Sequence, residues 1–272
     1  MATPWRMVIA ALTFCAATPA AADPPAKPPQ IEQAPSSLAD SATLSHDSKI
    51  VRELIAAVST GGFDIVATHR AELEGMLAHA PTPFSQTEEH DGIVYLRAVS
   101  PEECVAIMVF VVAAQHGKHR AVTCVDNPYP TAALLLGSFL DEVHRPVEGL
   151  AMLDRGLGFD PRYPILVTEK GASLNMMHRS AEALAVYKSG LADIPDLDTW
   201  QRGQMLRGEG YALVELNRLD EAEAAYKESL KVDPNHGFAL KELQFINSVR
   251  AGAPTYSEPK FVNGVPVATP PK

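Results

Sequence analysis

The sequence predicts a mainly α protein in which an array of helix hairpins follows a small α+β region. Three observations predict this fold class. A spacing of glycine, a small residue and proline occurs three times after residue 130. Apolar residues between 47 and 81 recur at helical intervals, and residues 91–127 are rich in β-branched side chains. The chain has 272 residues, 46% of them hydrophobic, which is enough to bury a sizeable core.

Residues 1–22 have the pattern of a secretory signal peptide. Arg6 gives a positive start, residues 7–15 are apolar, and residues 20–22 are alanines before Asp23. The apolar stretch is shorter than the roughly 20 residues that a spanning helix needs. We therefore expect export, most simply to a bacterial periplasm, cleavage before Asp23 and no stable membrane insertion afterwards. A lipoprotein with a lipidated Cys15 is the alternative.

Proline-rich segments follow the signal peptide and end the chain. Residues 23–36 and residues 251–272 each contain five prolines and few residues that could pack in a core. We expect a linker over 23–46 and a disordered tail over 251–272.

The region 47–128 begins with two predicted amphipathic helices. The first carries Ile50, Leu54 and Val58 at helical spacing, and the second runs from Phe63 to the residues before Pro81. Gly61 and Gly62 predict the turn between the two helices.

Three runs of β-branched residues between 91 and 127 favour three short strands in an antiparallel meander. A competing interpretation is a helix over 104–114, because Ser100, Pro101 and Glu103 have the order of an N-cap, a first-turn proline and an N3 acid. The density of β-branched residues favours the strand.

Two cysteines, Cys104 and Cys124, remain after the signal peptide is removed. In an oxidising compartment they could form a disulfide. The alternative is two buried thiols that act as small hydrophobic groups.

The region 130–250 contains an internal repeat. Gly171 follows Gly137 by 34 residues, and Gly210 follows Gly171 by 39. In each unit a small residue lies 12 positions after the glycine, a larger apolar or aromatic residue lies four positions later, and a proline ends the second helix. Besides the three glycines, the residues predicted to pack the repeats are Gly149, Pro161, Ala183, Tyr187, Pro195, Ala222, Tyr226 and Pro234.

These residues resemble the tetratricopeptide repeat (TPR) family, whose pattern runs W-x2-L-G-x2-Y, A-x3-F and P. The third unit matches the pattern at Gly210, Ala222, Tyr226 and Pro234. The first unit has Gly149 where the family has alanine, and the second has Lys170 where leucine is usual. The resemblance covers residues 130–250 and implies an α-solenoid of about three hairpins with a capping helix over 236–250.

The resemblance implies that a protein or peptide binds in the groove lined by the first helix of each repeat. Its spacing places twelve residues there. Eight are predicted to bind the partner, Leu134, Ser138, Asp141, Thr168, Asn175, Arg207, Tyr211 and Glu215, and the others are Glu142, Ala172, Met176 and Val214. Family members that clamp a terminal carboxylate use a set of lysines, arginine and asparagines, of which only Asn175 and Arg207 fall on groove positions. The resemblance therefore does not extend to that clamp.

The composition and the motifs predict a binding protein. With 23 Lys+Arg against 33 Asp+Glu, the net charge of −10 argues against nucleic-acid binding. The motifs G-x-S-x-G, H-E-x-x-H and C-x-x-C do not occur. We therefore expect a non-catalytic scaffold without a cofactor, which binds another protein or a second copy of itself. The alternative is a ligand-binding or catalytic domain at 47–127, in which four histidines converge, His69, His90, His116 and His119.

Overall fold

The computed structural model describes residues 41–114, 120–194, 197–252, 260–262 and 265–267. Several predictions fall outside the described residues. These are the signal peptide, residues 23–40 of the linker, most of the tail, His116, His119 and Pro195.

Three helices begin the described chain, α1 (Ser41–Gly61), α2 (Asp64–Thr68) and α3 (Arg70–Ala78). The predicted linker is too long, because α1 starts at residue 41 and buries Leu44 beside Ile50. The turn falls at Gly62, whose positive φ of 87° suits glycine. The second predicted helix is divided in two at His69, whose Nδ1 lies 3.0 Å from the carbonyl oxygen of Ile65.

The sheet has the strand order β1 (Thr87–His90), β2 (Ile93–Ala98) and β3 (Ala121–Asp126). Strands β1 and β2 are antiparallel, but β2 and β3 are parallel and are joined through helix α4 (Pro101–Ala114). The predicted meander is therefore wrong, since parallel neighbours need a crossover connection.

The start of α4 explains why the helix forms despite its β-branched residues. The backbone N–H of Glu103 donates to the Ser100 hydroxyl over 3.1 Å, and the Glu103 carboxylate accepts the Val99 N–H over 2.6 Å. These bonds satisfy donors at the helix start and stabilise it by about 1 kcal/mol. Cys104 of α4 forms a disulfide with Cys124 of β3, which joins the helix to the sheet.

Seven helices form the array that the repeats predict. Each hairpin packs on the next, and the last helix packs on the third hairpin. The helices are α5 (Tyr129–Glu142), α6 (Pro146–Phe159), α7 (Pro164–Met176), α8 (Ser180–Asp193), α9 (Thr199–Glu215), α10 (Leu219–Val232) and α11 (Gly237–Arg250). The fold is thus mainly α, with three hairpins and a capping helix after a small sheet region. Near the C-terminus, β4 (Lys260–Val262) and β5 (Val265–Val267) pair antiparallel.

The hydrophobic core connects the two parts of the chain. Residues of α1, α2 and α3 form one buried cluster with Tyr129, Leu136 and Phe159 of the first hairpin. The first three helices therefore cover the open apolar face of that hairpin, as the end of a repeat array requires.

Each hairpin turn has the same backbone conformation. His144, His178 and Asn217 lie two residues after the ends of the first helices and have positive φ values of 61°, 55° and 56°. The arginine that follows each of them pairs through two hydrogen bonds of 2.6–2.7 Å with a glutamate three residues later. The pairs are Arg145–Glu148, Arg179–Glu182 and Arg218–Glu221. Sequence reasoning missed them, although R-x-x-E recurs at the intervals of the repeat glycines.

The repeat glycines contact the residues that the sequence pairs with them. A Cβ at Gly137 would meet Leu153, and one at Gly210 would meet Tyr226. Ala183 and Ala222 are fully buried. Pro161 and Pro234 follow the last residues of α6 and α10.

Candidate functional site

Six of the eight predicted partner-binding residues of the groove are inaccessible to a partner. Tyr211 is half-buried and Glu215 is exposed. The other six are buried and offer a partner almost no surface: Leu134, Ser138, Asp141, Thr168, Asn175 and Arg207.

Contacts between neighbouring repeats account for this burial. The Asn175 amide donates to the carbonyl oxygen of Gly208 over 3.2 Å, and the Ser138 hydroxyl donates to Glu169 over 3.4 Å. Asp141 accepts a hydrogen bond from the Ser173 hydroxyl over 3.3 Å. These polar residues therefore join the first helix of one hairpin to the next.

Two buried carboxyl groups lie within this set. Burial raises the pKa of Glu169 to about 8, and the nearby Asp141 adds to the effect while the Ser138 hydroxyl opposes it. Burial also raises the pKa of Asp141 to about 6, against the effect of the Ser173 hydroxyl. Both groups hold a proton more tightly than an exposed carboxyl does.

A cleft of about 350 Å³ lies between α4 and one edge of the array. The array contributes the segment that joins α6 to α7 and the segment that precedes α9. The apolar lining residues are Val99, Ala106, Ile107, Phe110, Tyr163, Pro164 and Ile194. The polar lining residues are Ser100, Glu102, Glu103, Asp160, Arg162, Asp198 and Gln201. The cleft thus combines residues of both parts of the chain.

The composition of α4 explains how it can line the cleft. Cys104, Ile107 and Val111 are buried against the sheet, while Ala106 and Phe110 lie one turn apart on the cleft side. A helix that is apolar on several faces can pack on two neighbours at once. Its remaining face exposes three valines, Val105, Val109 and Val112.

Two carboxyl groups meet in the cleft. The side chains of Glu103 and Asp160 hydrogen-bond to each other. Burial raises the pKa of Glu103 to about 8, with a further increase from Asp160 and a decrease from the Val99 N–H and Arg162. Burial also raises the pKa of Asp160, although its hydrogen bonds to Glu103 and to the Arg162 N–H lower it. Two adjacent carboxyls therefore share a proton near neutral pH.

The segment before α9 is fixed by a capping box. The Gln201 N–H donates to the Asp198 carboxylate over 2.7 Å, and the Asp198 N–H donates to the Gln201 side chain over 3.3 Å. This wall of the cleft is therefore held by hydrogen bonds of its own.

The two described histidines of the alternative hypothesis, His69 and His90, do not line this cleft. His69 bonds within its own helix junction, and His90 lies beside Asp91 in the β1–β2 turn. A second cavity, of about 340 Å³, includes His178, Glu182 and the predicted groove residue Glu215.

In the described ranges no group of three His, Cys, Asp or Glu side chains could hold a metal ion. No helix among the described residues is long and apolar enough to cross a membrane.

Comparisons with solved structures find TPR domains that are similar to part of this chain. No family model matches the sequence, and no curated protein matches it. The first TPR domain of RPAP3 (Spaghetti), bound to an HSP90 peptide, is 22% identical over 47% of this chain and 98% of that domain, with a TM-score of 0.43. The second TPR domain of human RPAP3, in complex with an HSP70 peptide, is 17% identical over 43% of this chain and 98% of that domain, with a TM-score of 0.39.

A bacterial protein is similar over more of the chain. MamA from Desulfovibrio magneticus RS-1 is 14% identical over 75% of this chain and 86% of that one, with a TM-score of 0.44.

Proposed function

We propose that this chain is an exported, non-catalytic scaffold that binds another protein, and that a segment of the partner docks in the cleft between α4 and the repeat array. The cleft carries the proposal, because it is concave and combines apolar walls with convergent polar groups. Six of the eight predicted partner-binding residues of the groove are buried, so the cleft takes the place of that groove as the docking surface. Export is inferred from the signal-like residues 1–22.

The origin of the cleft also supports a scaffold. Its walls come from α4, from the segment after α6 and from the segment before α9. The cleft exists only where the α+β region and the array pack together, so both parts have a role in binding.

Photocrosslinking tests this function. A photoreactive amino acid is placed at Phe110 in the cleft, at the adjacent exposed Val109, or at the exposed Lys227 of α10. In the cells that make the protein, we expect a discrete adduct with one partner from position 110, because only that side chain lines the cleft. The intact mass of the recovered protein gives its first residue, which is Asp23 if it is exported.

The two control positions decide the outcome. Position 109 should give little adduct and position 227 none. Equal adducts from all three positions, or an adduct only from position 227, would contradict docking in the cleft.

A further inference from the structure

The cleft has an excess of negative charge. In the described part of the chain its lining contains four carboxyl side chains, Glu102, Glu103, Asp160 and Asp198, and one guanidinium, Arg162. Asp160 is 1% exposed and Glu103 is half-buried, so two of these groups lie where little solvent screens them. Arg162 offsets only part of the charge, and a cationic group is the complementary ligand.

The walls beside the two acids are apolar. Ile107 and Phe110 belong to α4, and Ile194 belongs to the segment after α8. Lysine and arginine side chains combine an aliphatic stem with a charged end, and they bury the stem against surfaces of this kind. The cleft therefore fits both parts of such a side chain.

We propose that the cleft binds a lysine or arginine side chain of the partner, whose N–H groups donate to the carboxylates of Glu103 and Asp160 while its stem lies against Ile107, Phe110 and Ile194. The inference rests on the proposed function and names the chemistry of the partner. Below the pKa of Glu103 the bound cation replaces the proton that the two carboxyls share, and that proton is released to the solvent.

The exchange makes binding depend on pH. The charged or titratable groups that share the cleft with Glu103 are Glu102 on α4, Asp160, Arg162 and Tyr163 after α6, and Asp198 before α9. Glu103 keeps its proton below a pKa of about 8, so binding of a cation becomes more favourable as the pH rises from 6 to 8. The affinity of an uncharged ligand should not increase over this pH range.

Two short peptides test the proposal on the full chain. They are Ac-Leu-Ala-Lys-Ala-Leu-amide and the same peptide with norleucine in place of lysine. Methyl NMR of Val99, Ile107 and Ile194 reports binding in the cleft. At pH 8 we expect the lysine peptide to bind at least about tenfold more tightly, as charge-assisted hydrogen bonds imply, and the difference to shrink at pH 6.

Variants show whether the acid pair is responsible. Glu103→Gln and Asp160→Asn are near-isosteric, and each should remove most of the preference for lysine, whereas Glu53→Gln on the exposed side of α1 should leave it intact. The methyl spectrum confirms that each variant is folded. Equal affinities for the two peptides, the absence of any cleft shifts, or a preference that persists in both acid variants would overturn the proposal. Photocrosslinking from position 110 judges the proposed function separately.

Discussion

Gly171→Ala should lower the free energy of unfolding by about 2 to 3 kcal/mol, because the added methyl overpacks the array. A Cβ at Gly171 would lie less than 3.0 Å from three ring atoms of Tyr187. The ring cannot withdraw, since Tyr187 is 2% exposed and a Cβ at Gly208, on α9, would also lie within 3.0 Å of it. Urea unfolding followed by circular dichroism measures the loss.

Gly158→Ala is the matched control. Gly158 is also helical, near the end of α6, but a Cβ there would meet nothing within 4 Å. Alanine is favoured over glycine in a helix, so this variant should be more stable by up to about 1 kcal/mol. If both variants changed stability equally, close packing on Tyr187 would not be the role of Gly171.

Glu169→Gln should change how stability depends on pH. The carboxyl is 2% exposed between neighbouring repeats, and its pKa is raised from 4.5 to about 8. A raised pKa means that the folded chain binds this proton more tightly than the unfolded chain does. The stabilisation is therefore fully present below pH 4.5 and is lost as the pH rises to about 8. Glutamine does not ionise, so the variant does not lose stability over this pH range in this way.

As the pH rises from 5 to 8, the free energy of unfolding of the variant should increase by on the order of 3 kcal/mol relative to that of the parent chain. Urea unfolding at a series of pH values measures this difference. Glu182→Gln is the control, because Glu182 is exposed and its pKa is lowered by Arg179. Parallel stability curves for the parent and Glu169→Gln would mean that Glu169 is ionised in the folded chain.

The sequence predicts the array well because its packing is local and periodic. Gly137, Gly171 and Gly210 recur at fixed intervals, and each contacts a side chain 16 positions later in its own hairpin. The two helices of a hairpin lie within one repeat, so the residue spacing alone is enough to predict which residues pack together. The hairpin turns with Arg145, Arg179 and Arg218 follow the same period and could have been predicted in the same way.

The prediction for α4 fails because two local signals compete. Val105, Val109 and Val112 favour a strand by composition, whereas the Ser100 cap favours a helix. The helix forms, and it covers one face of the sheet while its disulfide joins it to β3.

The cleft could not be predicted from the sequence. Glu103 and Asp160 lie 57 positions apart in regions of different character, and each has an ordinary local role beside a helix end. Only the packing of α4 beside the array brings their carboxyls together. The burial of the groove positions could not be predicted either, because hydrogen bonds between repeats, such as that from Asn175 to Gly208, cover positions that the spacing alone places at a surface.

A bulky side chain placed in the cleft tests whether the partner docks there. Ala106 lines the cleft, whereas the adjacent Val105 is 60% exposed on another face of α4. Ala106→Trp and Val105→Trp are compared for affinity toward the purified partner that crosslinks from position 110, after urea unfolding confirms that both are folded. We expect Ala106→Trp to weaken binding at least about tenfold, because it occupies the space of the docked segment, and Val105→Trp to leave it unchanged. Binding of Ala106→Trp with the affinity of the parent chain would contradict docking in the cleft.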